Sequence, residues 1–306
     1  AAVVYIISGI GFSGANVFYD SLIISVAPAS ARDRVSALGY ALGYLGGGLM
    51  LAAHVFLVLR HDSFNLTEIA AQRVCIITAA LWWILFCIPL WRYLRETPVP
   101  HSGITEAVRR SFGEVLGTVR QLRHHRPVLI FLLAYWLYID GVDTIIRMAV
   151  PYGKNIGVGD ADLIKAILLT QFIAFPAAIV FGRLGERLGT RRSILFAIGC
   201  YIAITGWAAS MEAAWEFYVL AAAVGMVQGG IQSLSRSMYS RLIPPEKASE
   251  YFGLYNLLGK SAAVLGPLLM GGIAVATDND RIGILSILVL FIAGGALLLQ
   301  VREDAQ

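Results

Sequence analysis

Charged side chains are scarce in this sequence. Of its 306 residues, 14% are Asp, Glu, Lys or Arg and 58% are hydrophobic, and the mean hydropathy is +0.70. A soluble domain carries about 25% charged residues, which it needs to cover its surface in water. The shortage of charge argues against a soluble protein and predicts an all-α integral membrane protein.

Cysteine and histidine are also few and scattered. Cys75, Cys87 and Cys200 lie in apolar stretches and form no CxxC pair, so neither a disulfide framework nor a zinc site is expected. The five histidines show no ligand spacing, and neither GxSxG nor HExxH occurs in the sequence. These absences predict no enzymatic activity, no metal and no cofactor, and we expect no nucleic-acid partner.

Long apolar runs predict nine membrane-spanning helices, and therefore a lipid bilayer as the surrounding medium. A spanning helix needs about 20 mainly apolar residues. Such runs lie at about 1–27, 38–60, 74–93, 128–149, 162–182, 193–210, 216–236, 253–275 and 281–300.

The distribution of Lys and Arg predicts the orientation of these spans. We call the face reached after the first span side one. Its loops and tail hold seventeen of the 24 basic residues, the opposite face holds five, and Arg147 and Lys260 lie within spans. Because loops rich in Lys and Arg stay in the cytoplasm, side one and the C-terminus are predicted to be cytoplasmic.

The longest loop, at about 94–127, has its own apolar periodicity. Apolar residues recur there at steps of three or four, opposite a basic face, which is typical of an amphipathic helix on the inner membrane surface. A solvated linker helix is the alternative. The apolar residues are Ile104, Val108, Phe112, Leu116, Val119 and Leu122.

The stretch YIDGVDTIIR places charges deep in the fourth predicted span. Asp140, Asp143 and Arg147 follow a spacing of i, i+3, i+7, and Trp136 lies one turn earlier, so we expect them to share one face. A charge inside the membrane costs roughly 2.5–3.5 kcal/mol on insertion scales and should face the bundle interior. The pattern favours a site that binds substrate or a proton. An Asp143–Arg147 pair that only supports packing is the alternative.

Lys260 in the eighth predicted span is a second intramembrane charge, and Asn256 lies one turn before it. We predict that Lys260 pairs with a carboxylate or binds an anionic substrate group. The alternative is that its long side chain reaches the inner interface.

Four more polar residues within spans are candidates for substrate contact. Asn16 and Asp20 lie four residues apart in the first span, and Gln228 and Gln232 share a face of the seventh. For Asp20 a gating or capping role is the alternative. For the two glutamines the alternative is hydrogen bonding between helices.

The loop GRLGERLGTRR at 182–192 resembles the G-x-L-x-D/E-R-x-G-x-R-R signature of the major facilitator superfamily. Its glycines permit a tight turn, and its charges are expected to form ion pairs between helices that lock one conformation. We assign it to gating and not to substrate contact. The residues are Gly182, Arg183, Gly185, Glu186, Arg187, Gly189, Arg191 and Arg192.

Several further stretches are similar to one branch of that superfamily, the autophagy-related vacuole-effluxer-like transporters and their bacterial relatives. They include NVFYDSLIISVA, ALGYLGGGL, LTQFIAFPAAIVFGRLGERLG and SRSMYSRLIPPEKASEYFGLYNLLGKSAAVLGPLL. The resemblance implies a fold of twelve spans in two halves, of which this chain matches spans four to twelve. Residues 1–93 are then the remainder of the first half, 94–127 the linker, and 128–306 the second six-helix half.

The resemblance also implies a function and a location. We expect a secondary active transporter of small solutes in the bacterial inner membrane, working by alternating access. Amino-acid efflux is the activity of fungal members, and an intramembrane carboxylate would carry the coupling proton. Because the first three spans are missing from this chain, a monomer of these residues alone is expected not to transport. An exporter of hydrophobic compounds and a non-transporting membrane protein are the alternatives.

Overall fold

The computed structural model describes residues 2–94, 113, 115, 117–211, 213–262 and 264–301. Over these residues the secondary structure consists of helices and turns, without a strand. The helices are α1 Ala2–Ser21, α2 Ile23–Val26, α3 Arg32–Leu59, α4 Glu68–Tyr93, α5 Arg126–Asn155, α6 Asp160–Leu188, α7 Thr190–Ala208, α8 Ala214–Leu242, α9 Ala248–Ser261, α10 Leu265–Thr277, α11 Asp280–Ser286 and α12 Leu288–Leu298.

Eight helical stretches in the described part of the chain are long and apolar enough to cross a membrane, by length and composition alone. They correspond to eight of the nine spans predicted from the sequence. The remaining prediction, at about 193–210, coincides with α7, a helix of 19 residues whose first turn contains Arg191 and Arg192. Three spans are each built from two helices: α1 with α2, α9 with α10, and α11 with α12.

The chain divides into two compact units, one formed by Ala1–Tyr44 with Glu114–Gln306 and the other by Leu45–Gly113. The core of the first unit lies among α5, α7, α8 and α12. At its centre the fully buried rings of Tyr201 and Phe291 stack with 5.4 Å between their centroids. The division expected from the sequence, at 93 and 127, stays a prediction.

The second unit contains the C-terminal part of α3 and all of α4. His54 Nε2 lies 2.9 Å from Thr78 Oγ1, which joins the two helices by a side-chain hydrogen bond. The N-terminus of α4 is capped by Thr67, whose hydroxyl accepts a hydrogen bond from the Ala70 amide at 3.2 Å. Such a cap satisfies one of the amides that a helix start leaves without a partner.

The described end of the 94–127 loop belongs to the first unit. Residues 117–122 are helical, and Thr118 and Leu122 are buried. Thr118 donates a hydrogen bond to Glu250, so this end of the loop is attached to the start of α9. Most of the predicted amphipathic helix lies outside the described residues, and its place on the membrane surface stays a prediction.

Helices α6 and α8 approach closely because glycines face the partner helix. A Cβ on Gly225 would lie 2.8 Å from the carbonyl oxygen of Thr170, and one on Gly229 would lie 2.8 Å from Ala178 Cβ. At Gly230 it would overlap the ring of Phe181. Small residues at such positions let membrane helices pack backbone to backbone.

The variant Gly230→Ala should lower the free energy of unfolding by about 1–3 kcal/mol, because an added methyl in a packed interface forces neighbours apart. Gly199→Ala in α7 is the matched control, since its Cβ would meet open space and alanine favours a helix. Thermal unfolding in detergent micelles measures both. Equal melting temperatures for the two variants would contradict the prediction.

Candidate functional site

A polar chamber lies among α1, α3, α5, α8 and α9. It consists of two adjoining cavities of about 490 and 180 Å³ whose walls share Tyr40, Gln232 and Asn256. Six of the ten side chains predicted to bind substrate or a proton line this chamber: Asn16, Asp20, Asp143, Gln232, Asn256 and Lys260. The fold therefore brings together polar groups that are far apart in the sequence.

Asp143 and Lys260 face the smaller cavity with opposite charges. Among the described residues neither belongs to an ion pair within 4.0 Å, although Lys260 Nζ lies 5.6 Å from the centre of the Phe12 ring. The suggested pairs of Asp143 with Arg147 and of Lys260 with a carboxylate are thus not formed in this conformation. A charge within the membrane needs a partner or water, and here both charges are open to the cavity.

The larger cavity ends at Arg236, which is 5% exposed. Its Nη1 donates to Asp20 Oδ1 at 3.0 Å, and its Nε donates to Ser36 Oγ, also at 3.0 Å. Asn256 Nδ2 donates to the other oxygen of Asp20 at 3.0 Å, and the Tyr40 ring lies 4.8 Å from the guanidinium. This cluster joins α8 to α1, α3 and α9 on the side-one end of the chamber.

Asp140 lies one turn before Asp143 on α5, but its side chain is outside the chamber. It is fully buried, and its two oxygens accept hydrogen bonds from the backbone amides of Leu265 at 3.1 Å and Gly266 at 2.9 Å. These are the first residues of α10, where helix amides lack partners within the helix. We expected Asp140 and Asp143 to share a face. Residues three apart differ by about 60° around the axis, which is enough to direct them to different neighbours.

The other three predicted substrate residues lie elsewhere. Trp136 packs against the hydrophobic core, and Arg147 is exposed. Gln228 lines a separate, mainly apolar cavity of about 350 Å³ among α5, α6, α8, α10 and α11. Gln171 lines both this apolar cavity and the polar chamber, so the two spaces lie side by side.

The glycines of the predicted gating loop lie where α6 and α7 meet the start of α3. A Cβ on Gly182 would lie 2.6 Å from Ala37 Cβ, and one on Gly185 would lie 3.1 Å from Asp33 Oδ2. Gly189 connects the two helices with a φ of +91°, a conformation that favours glycine. The gating role of this loop stays a prediction, but its glycines permit the close contact.

The charges of that loop are arranged differently from what we expected. Arg183, Glu186, Arg187 and Arg192 are exposed, and Arg191 Nη1 donates to the carbonyl of Val301 at 2.7 Å. Within the described residues Glu186 forms no ion pair within 4.0 Å, because it lies on the outer face of the last turn of α6.

The buried acid of this region is Asp33, in the first turn of α3. It is 2% exposed, and its Oδ2 accepts from Thr190 Oγ1 at 2.8 Å and pairs with Arg241 Nη2 at 3.0 Å. The network joins α3 to α7 and α8. It replaces the ion pairs that we expected from Glu186.

The variant Asp33→Asn should lower the free energy of unfolding by about 1.5–3 kcal/mol, because a charge-assisted hydrogen bond is lost and Arg241 keeps its charge. Glu186→Gln is the matched control and should change it by less than about 0.5 kcal/mol, as exposed substitutions usually do. Denaturation in detergent measures the difference. A larger loss of unfolding free energy for Glu186→Gln than for Asp33→Asn would contradict the prediction, because it would show that Glu186 contributes more to stability than Asp33.

Arg236, Asp33 and Arg241 were not recognised from the sequence as parts of a site. Arg236 is one of the seventeen basic residues counted on side one, because the predicted seventh span ends at that residue, yet α8 continues to Leu242. The small polar residues around it in IQSLSRSMYS are the signal that could have placed it on a helix inside the bundle. No group of three or more His, Cys, Asp or Glu residues within the described part could hold a metal ion.

The helical bundle is similar to a solved structure described as a bacterial homologue of the iron transporter ferroportin in its outward-facing state. The TM-score is 0.58 at 18% identity, and the match covers 91% of this chain and 66% of that one. At this identity the likeness shows the fold alone. Together with the apolar helices, it defines an integral membrane protein with a major facilitator helical bundle, which confirms the predicted fold class.

The chain belongs to the family described as "Vacuole effluxer Atg22 like", whose model matches residues 23–305. It is 37% identical to the MFS-type transporter YxiO of Bacillus subtilis (strain 168), over 98% of this chain and 70% of that protein. It is 28% identical to autophagy-related protein 22 of Yarrowia lipolytica, over 90% of this chain and 51% of the relative. The predicted family is confirmed. The chain spans about half the length of this fungal relative.

Proposed function

We propose that this chain forms the solute path of a secondary active transporter that moves small zwitterionic solutes, with amino acids as the class, by alternating access. The observation that carries the proposal is that Asp143 and Lys260, with opposite charges, line one cavity of about 180 Å³, and that within the described residues neither forms an ion pair within 4.0 Å. A carboxylate and an ammonium group on one solute would neutralise both. A solute with a single charge would leave the other side chain without a partner.

The proposal extends to the coupling ion. Of the two acids of YIDGVDTIIR, Asp143 lines the chamber, whereas both oxygens of Asp140 already accept backbone hydrogen bonds. Asp143 is therefore the carboxylate that can exchange a proton with the solute path. In this scheme the proton and the ammonium group of the solute compete for the same acid.

Alternating access requires the chamber to close at one end at a time. In the present conformation the Asp20–Arg236 pair lies at the side-one end of the chamber, and the Asp33–Arg241 pair lies farther toward that face. We propose that both pairs separate when the chamber opens to side one. Side one would be the cytoplasmic face of a bacterial inner membrane, as its excess of Lys and Arg favours.

The apolar cavity supports a second candidate, an exporter of hydrophobic compounds. Its volume of about 350 Å³ and its lining of Ile, Val, Met and Phe side chains would accept an uncharged apolar molecule. Such a substrate would not need Asp143 or Lys260. The two candidates therefore differ in which substitutions they tolerate.

A thermal-shift and transport experiment separates the candidates. The protein as it occurs in its host membrane is purified and tested with L-alanine, with alanine amide, which lacks the carboxylate, and with propionate, which lacks the amine. Stabilisation and proteoliposome uptake by L-alanine but not by the two analogues supports the proposal. Stabilisation only by uncharged apolar compounds would overturn it in favour of the exporter.

A further inference from the structure

The eighth span is interrupted after Ser261, one residue beyond Lys260. Helix α9 ends at Ser261 and α10 begins at Leu265. A helix end inside a membrane bundle exposes amides and carbonyls that lipid cannot satisfy. The interruption therefore needs polar partners from a neighbouring helix.

Helix α5 contacts the span on both sides of this interruption. Before it, Tyr255 stacks on Tyr135 with 4.1 Å between ring centroids, and a Cβ on Gly259 would lie 2.9 Å from the Tyr135 hydroxyl. After it, Asp140 holds the first amides of α10. Lys260 thus lies between two attachments to one rigid helix.

The attachment at Asp140 is close-packed as well as hydrogen-bonded. A Cβ on Gly266 would overlap Thr144 Oγ1 and lie 2.9 Å from Asp140 Oδ1, so only glycine lets α10 approach the carboxylate. Two carboxylate oxygens match two adjacent amides, and a negative charge at a helix N-terminus is favourable. The same helix carries Asp143 one turn later, about 4.5 Å along the axis.

We propose that Asp140 is a positioning residue that holds α10 on α5, fixes where α9 ends, and thereby sets the separation of Lys260 from Asp143. The proposal rests on the proposed function, in which those two side chains bind the solute. Asp140 itself does not touch the solute.

Label distances test the proposal without any solute. Spin labels are attached at Ser261→Cys and Arg147→Cys, both exposed positions, in a background where Cys75, Cys87 and Cys200 are serine. Asp140→Asn keeps one acceptor oxygen but turns an NH₂ group toward the other backbone amide, so one hydrogen bond to α10 is lost. The distribution of distances between the two labels should therefore broaden and shift. Asp160→Asn is the matched control, because it makes the same chemical change at an exposed carboxylate whose ion partner is Lys154, and it should leave the distribution unchanged.

Transport adds a second readout. Asp140→Asn should raise the KM for L-alanine by about tenfold if the competent arrangement falls to one tenth of the population, with a smaller change in turnover at saturation. An unchanged distance distribution, with loss of only the pH dependence of transport, would overturn the proposal and make Asp140 a proton carrier. If the unaltered protein does not transport alanine, the proposed function is contradicted. The role of Asp140 is still decided by the label distances, which need no solute.

If Asp140→Asn does not fold, Gly266→Ala makes the same test from the other side of the contact. It keeps the carboxylate but pushes α10 away from it. A broadened distribution again supports the proposal, and an unchanged one contradicts it.

Discussion

Asp143→Asn and Lys260→Met should each reduce the uptake of a zwitterionic solute by roughly 10- to 100-fold. Each removes one charge-assisted interaction, worth about 1.5–3 kcal/mol, and every 1.4 kcal/mol corresponds to about tenfold in affinity. The loss should appear as a raised KM, because both side chains line the cavity and bind the solute's charged groups. Uptake of L-alanine into proteoliposomes over a range of concentrations measures it.

Matched controls separate this effect from a general loss of charge. Lys165→Met and Asp160→Asn make the same chemical changes at exposed residues whose ion partners are also exposed, and such pairs contribute little. Both controls should transport at the unaltered rate. If the Asp143 and Lys260 variants keep the wild-type KM, these two side chains do not bind the solute. This conclusion does not depend on the control variants.

Arg236→Met should lower the free energy of unfolding by about 3–5 kcal/mol, because removing one partner of a buried ion pair leaves the other charge uncompensated. The side chains of Arg236 and Asp20 are 6% and 13% exposed. After the substitution Asp20 keeps the hydrogen bond from Asn256 but loses its cationic partner. Chemical denaturation in detergent measures the change.

A double-mutant cycle isolates the pair itself. Arg236→Met combined with Asp20→Asn should be more stable than Arg236→Met alone, since the uncompensated carboxylate is gone. Lys154→Met is the control, because its pair with Asp160 has side chains 56% and 78% exposed, and it should change stability by less than about 1 kcal/mol. If the losses of the two single variants simply add, the ion pair is not the source of the effect.

Most of the spanning helices could be predicted from the sequence. Apolar runs of about 20 residues are a local property that the bilayer thickness imposes, and the described helices match them to within a few residues at most ends. The exceptions lie at both faces, where the helices extend beyond the apolar runs: α3, α4 and α9 begin earlier, at Arg32, Glu68 and Ala248, and α5, α6 and α8 continue to Asn155, Leu188 and Leu242. The added turns contain polar residues, some of them buried, such as Ser237 and Ser240 in α8, and others exposed, such as Glu186 in α6, so hydropathy does not mark where the helices end.

The chamber was predictable only in part. Asp143, Lys260, Gln232 and Asn256 were recognisable because a polar group within a span should face the interior. That rule says nothing about which neighbour a side chain meets. It therefore could not tell Asp143, which lines the chamber, from Asp140, which caps α10.

By itself, the sequence determined that this chain is an α-helical membrane protein of the vacuole-effluxer-like family, and which of its spans carry charge. Those properties follow from composition, run length and local motifs. Only the tertiary structure decided that Arg236 pairs with Asp20, that Asp33 replaces Glu186 in the buried network, and that Asp140 holds a helix end. Each of these contacts joins residues more than a hundred positions apart, and their partners are set by how the helices pack, which no local pattern encodes.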